Sequence, residues 1–124
     1  MLILDDEAPI LRALTRSLRH AYEVTTTTSP EMALVLATSG VSWDIVLSDV
    51  TMPVMSGIEF AQRAVHARPA LAGHIVLMTG GADTDHILES CGLPIVTKPI
   101  DLSNLLAALE RVTPEVVAAP SSGA

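Results

Sequence analysis

Read from its first residue, the chain alternates short apolar runs with longer stretches in which apolar positions recur every three or four residues. Leu2-Ile3-Leu4, Ile45-Val46-Leu47 and Ile75-Val76-Leu77-Met78 are unbroken and rich in branched side chains, as expected of strands covered on both faces. Tyr22 to Thr28 is β-branched but polar, which predicts a strand nearer a sheet edge, and Ile95-Val96-Thr97 predicts a brief fifth strand. Ile10, Leu14 and Leu18 mark the inner face of a helix from Pro9 to about His20. Leu11 falls off that face, and with Ile100 it is a candidate docking side chain. Ser29-Pro30 starts a second helix, with Leu34, Val35 and Ala37 turned inward and Gly40 as its stop. Ser56 or Gly57 opens a third, bearing Ile58, Phe60, Ala61, Ala64 and Val65 and ended by Arg68-Pro69. Asp83 or Thr84 caps a fourth helix of about two turns, to Ser90, with Gly92 beyond it. Asp101 caps a last one carrying Leu102, Leu105, Leu106, Leu109 and Val112. Thr113-Pro114 ends that helix, and the Ala/Pro/Ser/Gly remainder has the composition of a disordered linker. The expected division is a folded domain over 1–113 and a tail over 114–124.

Strand and helix thus alternate five times with short connections. That pattern predicts an α/β fold: a doubly wound, five-stranded parallel sheet with helices on both faces, in the flavodoxin-like order 2-1-3-4-5. Its switch point lies between the first and third strands, which end in Asp5-Asp6 and Asp49. Ligands of such sheets bind outside the carboxyl ends of the strands.

With 124 residues, 49% of them apolar, one domain can bury a full core, and aromatics at 2% leave that core to aliphatic side chains. Seven basic against fourteen acidic residues give a net charge of -7, which argues against direct nucleic-acid binding. Cys91 stands alone, so no disulfide forms within the chain and a reducing compartment, the cytoplasm, is expected. The apolar runs are too short for membrane insertion, and Met1-Leu2-Ile3-Leu4 running straight into acids does not read as a signal peptide. A strand that begins at the second residue is the expectation for a piece of a longer protein.

The strand ends carry the chemistry. Asp5-Asp6 follows the first strand, Asp49 the third, Thr79 the fourth and Lys98 the fifth. Three ionised carboxylates in one crevice need compensating cations. Lys98 is one; an all-oxygen donor set suits a divalent ion such as Mg²⁺ as the other. His20, His66, His74 and His86 have no ligand spacing and read as surface or loop residues. A carboxylate beside a metal, a lysine and a hydroxyl is what phosphoryl transfer to aspartate needs: Asp49 as nucleophile, Lys98 and the metal neutralising charge, Thr79 as hydrogen-bond donor. Gly80 and Gly81 leave room for the group beside Thr79. Taken singly, each residue has an ordinary reading. Asp5 and Asp6 would cap the first helix, Asp49 would be a turn residue and Lys98 a solvated charge. Their joint placement on one sheet edge reverses those readings.

Asp5-Asp6, then Asp49-x-x-Met52-Pro53-x-x-x-Gly57, then Thr79, then Lys98-Pro99, resemble the receiver domain of bacterial two-component response regulators, over residues 1 to about 112. The resemblance implies that Asp49 is the phosphoacceptor and that Asp6, Asp49 and the backbone carbonyl of Thr51 hold Mg²⁺ or Mn²⁺, with Asp5 helping through water. It implies that Lys98 contacts the phosphoryl group, that Thr79 is the switch hydroxyl and that Lys98-Pro99 is a cis peptide. The implied partner is a sensor histidine kinase or its phosphotransfer domain, and the implied role is signalling rather than enzymatic turnover.

Two departures stand out. Ile95 occupies a position where the family usually has an aromatic residue, and the segment from Thr79 to Lys98 is about a turn short. Both fall on the surface many members use for output. They keep open a degenerate module acting through protein contacts alone, and favour the receiver of a hybrid histidine kinase as the parent. An aspartyl-nucleophile phosphohydrolase is disfavoured, because Thr51 stands where such enzymes, by resemblance, place a second acid. A flavin-binding protein is more remote, since the chain shows no phosphate loop with aromatic stacking.

Overall fold

In a computed structural model the described residues are 1–80, 92–98, 103 and 105–108. In chain order they form β1 (Leu2–Leu4), α1 (Ala8–Leu18), β2 (Thr25–Thr27), α2 (Pro30–Ala37), β3 (Val46–Asp49), α3 (Gly57–Ala67), a 3-10 turn (Pro69–Leu71), β4 (Ile75–Thr79) and β5 (Ile95–Thr97). Residues 103 and 105–108 are helical. The five strands pair in parallel in the order β2-β1-β3-β4-β5, the predicted topology. The expected fourth helix with Cys91, the Lys98-Pro99 peptide, the Asp101 cap, Ile100 and the tail lie outside the described residues.

Strand alternation divides the core in two. Leu2, Leu4, Val46, Ile75 and Leu77 face Ala33 and Ala37 of α2 and Phe60, Ala61 and Ala64 of α3. Ile3, Ile45, Leu47, Val76, Met78 and Val96 face Leu11, Leu14 and Leu18 of α1, together with Leu105 and Ala108. Each apolar run therefore feeds both layers, which is why none shows a polar side.

The helix faces correct two expectations. Leu11 is 5% exposed and belongs to the core, while Ile10 is only partly covered. Both flank Leu14, and the sheet lies under the Leu11 side, so Leu11 is no docking side chain. In α2 the covered residues are Ala33 and Ala37, one turn apart, and Val35 is 62% exposed. Small side chains let α2 sit close to β1, and Val35, two residues from each, points the other way. β2 is also shorter than the predicted strand, and α1 stops at Leu18 instead of His20.

The turn from α2 to β3 is pinned by two donors. Arg68, just past α3, sends Nη1 to the carbonyls of Ala37 (3.1 Å), Ser39 (3.2 Å) and Val41. Trp43 Nε1 donates to Leu36 O at 2.8 Å. Ala37 and Leu36 belong to the last turn of α2 and Ser39 and Val41 to the loop beyond it, so the two donors tie that loop to the helix end, and Arg68 places a cation at the negative end of α2. The entry to β3 is thereby held, and with it the depth at which the strand delivers Asp49.

Candidate functional site

β3 ends at Asp49, 4% exposed, between the ends of β1 and β4. Leu4 of β1 pairs with Ser48, so the next residue, Asp5, emerges beside Asp49. Asp5 is fully buried and Asp6 exposed. Thr79 closes β4 at 5% exposure, and Lys98 follows β5 directly. The Lys98 N–H donates to Thr79 O at 2.7 Å, which ties these two chain ends together.

The three acids gather as expected: one carboxylate oxygen from each of Asp5, Asp6 and Asp49 lies within 4.8 Å of the others. Lys98 Nζ sits among them, 3.0 Å from Asp5 Oδ2 and 3.2 Å from Asp49 Oδ1. Asp5 serves two purposes. Its Oδ1 accepts the Glu7 N–H at 2.9 Å, turning the chain into α1, and Oδ2 faces Lys98. The contact with Lys98 supplies charge but is poorly aligned, so among the described residues this buried oxygen receives no well-directed hydrogen bond.

Charge is unbalanced here. Burial, and then the charge of Asp5, push the Asp49 carboxyl from 3.8 up to about 6 against the opposing pull of Lys98. Burial draws the Lys98 ammonium down, but contact with Asp5 and the charge of Asp49 outweigh it, and its pKa is raised. Three carboxylates against one ammonium leave two formal negative charges. The all-oxygen donors, the excess charge and the incompletely satisfied Asp5 Oδ2 fit a hard divalent cation.

The loop after Asp49 is more constrained than its sequence implied. A Cβ on Gly57 would lie 2.1 Å from the backbone oxygen of Asp49, so α3 begins where only glycine fits. The Gly57 N–H donates to Val50 O at 2.8 Å, and Ser56 Oγ caps the helix by accepting the Glu59 N–H. Within the loop, the Met55 N–H reaches Pro53 O at 2.8 Å across Val54, whose φ is +73°. This is a γ-turn of the strained hand, centred on a β-branched residue that is 85% exposed. Thr51 is exposed in the same loop. Gly80 lies against the Lys98 stem at 3.8 Å, an ordinary contact, and Gly81 is outside the described residues. His20 and His66 are exposed, and His74 Nδ1 bonds Asp44 O at 2.8 Å, away from the acids. His86 is outside the described residues.

An acidic crevice at the switch point of a 2-1-3-4-5 parallel sheet, closed by a lysine from the last strand, is consistent with the site of an aspartate phosphoacceptor domain. Residues 1–110 match the family model described as response regulator receiver domain, and the chain belongs to that family. It is 32% identical over 117 residues to the transcriptional regulatory protein ZraR of Escherichia coli. To the DNA-binding transcriptional regulator NtrC of Salmonella typhimurium it is 27% identical over 112 residues. These matches cover 90% and 88% of this chain, which spans about a quarter of the length of either relative. Both are transcriptional regulators, so placement in a hybrid kinase draws no support from them. Among solved structures, a receiver domain protein from Clostridium thermocellum superposes with a TM-score of 0.80 at 26% identity, over 92% of this chain and 93% of that one. The chemotaxis response regulator CheY4 of Vibrio cholerae gives 0.76 at 31% identity, over 90% and 95%. Receiver domains are signalling phosphoacceptors of two-component systems rather than turnover enzymes. Among the described residues no helix is long and apolar enough to cross a membrane.

Proposed function

We propose that the domain takes a phosphoryl group from the phosphohistidine of a sensor histidine kinase, or of its phosphotransfer domain, onto Asp49. The observation that carries this is the buried Asp49 carboxylate with Lys98 Nζ at 3.2 Å and the oxygens of Asp5 and Asp6 within 4.8 Å. Asp5, Asp6, Asp49 and the Thr51 carbonyl would hold Mg²⁺ or Mn²⁺. The ion supplies charge neutralisation at the phosphoryl oxygens. An Asp49 oxygen attacks phosphorus, the phosphorus–nitrogen bond breaks, and the imidazole leaves with the electron pair. Lys98 provides positive charge at the same oxygens, and Thr79, on the strand end bonded to Lys98, donates its hydroxyl to the arriving group. That dianionic group then draws on Thr79 and Lys98 together, which is how its presence would reach the surface. In this reading residues 1–113 are the receiver, residues 114–124 a linker, and the site of action the cytoplasm.

Incubation with acetyl phosphate and Mg²⁺, followed by intact-mass spectrometry, tests the assignment. Wild type is expected to gain one phosphoryl group on Asp49, Asp49→Asn none, and wild type in a metal chelator none. Undiminished labelling of Asp49→Asn would remove Asp49 from its role. Labelling that persists in chelator would remove the metal.

A further inference from the structure

The acidic crevice leaves one basic feature unexplained. Arg12 and Arg16 on α1 and Arg19 at its C-cap, three of the chain's seven basic residues, follow one another at helical spacing of four and three residues. With Thr26, Thr27 and Thr28 at and just beyond the end of β2 they line an open groove of about 700 Å³. No acid lines this groove, although the chain carries twice as many acids as bases. All three arginines are exposed, and among the described residues none makes an ion pair.

We infer that this groove binds an extended acidic segment of a partner protein, at a site separate from Asp49. The shape favours an elongated ligand over a single phosphate, because the helix rise sets the backbone positions of Arg12 and Arg19 about 10 Å apart along the groove. A nucleotide is disfavoured as well, since the lining offers no aromatic face on which a base could stack. Long nucleic acid would be repelled by the net charge of -7. An extended peptide meets none of these objections. Its alternate side chains fall about 7 Å apart on one face, so two or three carboxylates can reach the arginine row. β2 is also one of the two edge strands of the sheet. Thr25 and Thr27 spend backbone groups on β1, as Thr25 N–H to Met1 O at 2.9 Å and Asp5 N–H to Thr27 O at 3.3 Å. Alternation turns the backbone groups of Thr26 outward, where an added strand would pair with them.

The test uses a fluorescein-labelled octapeptide of alternating threonine and glutamate, its glutamine counterpart, and the full chain, with anisotropy and amide chemical shifts as readouts. The glutamate peptide is expected to bind and to shift α1 and β2 resonances, with the glutamine peptide at least ~10-fold weaker, a difference of about 1.4 kcal/mol. The triple variant Arg12→Gln/Arg16→Gln/Arg19→Gln is expected to lose the preference, and the corresponding triple lysine variant to keep most of it. Acetyl phosphate labelling of Asp49 in the glutamine variant would stay at the wild-type level, which separates loss of the groove from loss of the fold. Equal binding of the two peptides, binding unaffected by the triple glutamine variant, or tighter binding of ATP or oligothymidylate than of the peptide would each overturn the inference.

Discussion

Replacing Asp49 by asparagine should make the domain more stable when no divalent ion is present. Asp49 is 4% exposed, and burial together with the charge of Asp5 pushes its carboxyl from 3.8 to about 6. The native state thus holds this proton more tightly than the unfolded chain. Between about pH 4 and pH 6 stability falls as pH rises, and above about pH 6 the whole penalty is present. A shift of roughly two units, at about 1.36 kcal/mol per unit, makes it about 3 kcal/mol. Asparagine keeps the shape and removes the charge, while Lys98 retains Asp5 at 3.0 Å. The pull of Lys98 is already contained in that shift, so the expected gain is up to about 3 kcal/mol near pH 7.5 in chelator, shrinking towards zero near pH 4. Urea denaturation followed by circular dichroism reads both conditions. Adding Mg²⁺ should then stabilise wild type and not the variant, by about 2.7 kcal/mol at a hundredfold excess over Kd. A variant no more stable than wild type near pH 7.5, or a gap that survives near pH 4, would refute the electrostatic account.

Three further substitutions probe the frame around the site. Gly57→Ala should destabilise the domain by more than about 2 kcal/mol in urea denaturation and slow acetyl phosphate labelling, because the methyl group would displace the Asp49 backbone from which a Cβ would stand only 2.1 Å away. Val54→Gly should raise stability by about 0.5 to 1 kcal/mol, visible as a higher melting temperature, since glycine relieves the φ of +73° and only an exposed side chain is lost. Arg68→Ala should cost about 1 to 3 kcal/mol in the same denaturation assay by leaving the carbonyls of Ala37, Ser39 and Val41 without their donor.

What could be read from sequence divides along a physical line. The strands Ile45–Leu47 and Ile75–Met78 were legible because burial on both faces demands unbroken apolar runs. The site was legible because a parallel sheet sends all its carboxyl ends to one edge, so residues far apart in sequence share a crevice once their strands are located. Helix faces were less legible. α2 carries Met32, Leu34, Val35 and Leu36 around its whole circumference. Only the proximity of β1 selects Ala33 and Ala37 as the buried pair. Leu11 and Ile10 are nearly equivalent on the helical wheel, and the sheet's position chooses between them. The role of Arg68 depends on partners about thirty residues away, and those of Gly57 and the arginine groove on how the chain turns back on itself between elements. Gly57 did carry a usable signal, since Ser56 already supplies the cap and a glycine inside the first turn weakens a helix unless another backbone comes close.

The closure of the loop after Asp49 also fixes which part of it can breathe. Its two ends are bolted by the Val50 N–H to Met78 O and the Gly57 N–H to Val50 O, each at 2.8 Å. Between the bolts stands Val54, with little of its surface covered. Amide hydrogens at Val50 and Gly57 should therefore exchange with solvent as slowly as those of the central strands, while the Val54 amide exchanges quickly. The segment that follows Asp49 is thus an arch on fixed abutments: its crown can yield without moving the carboxylate below it.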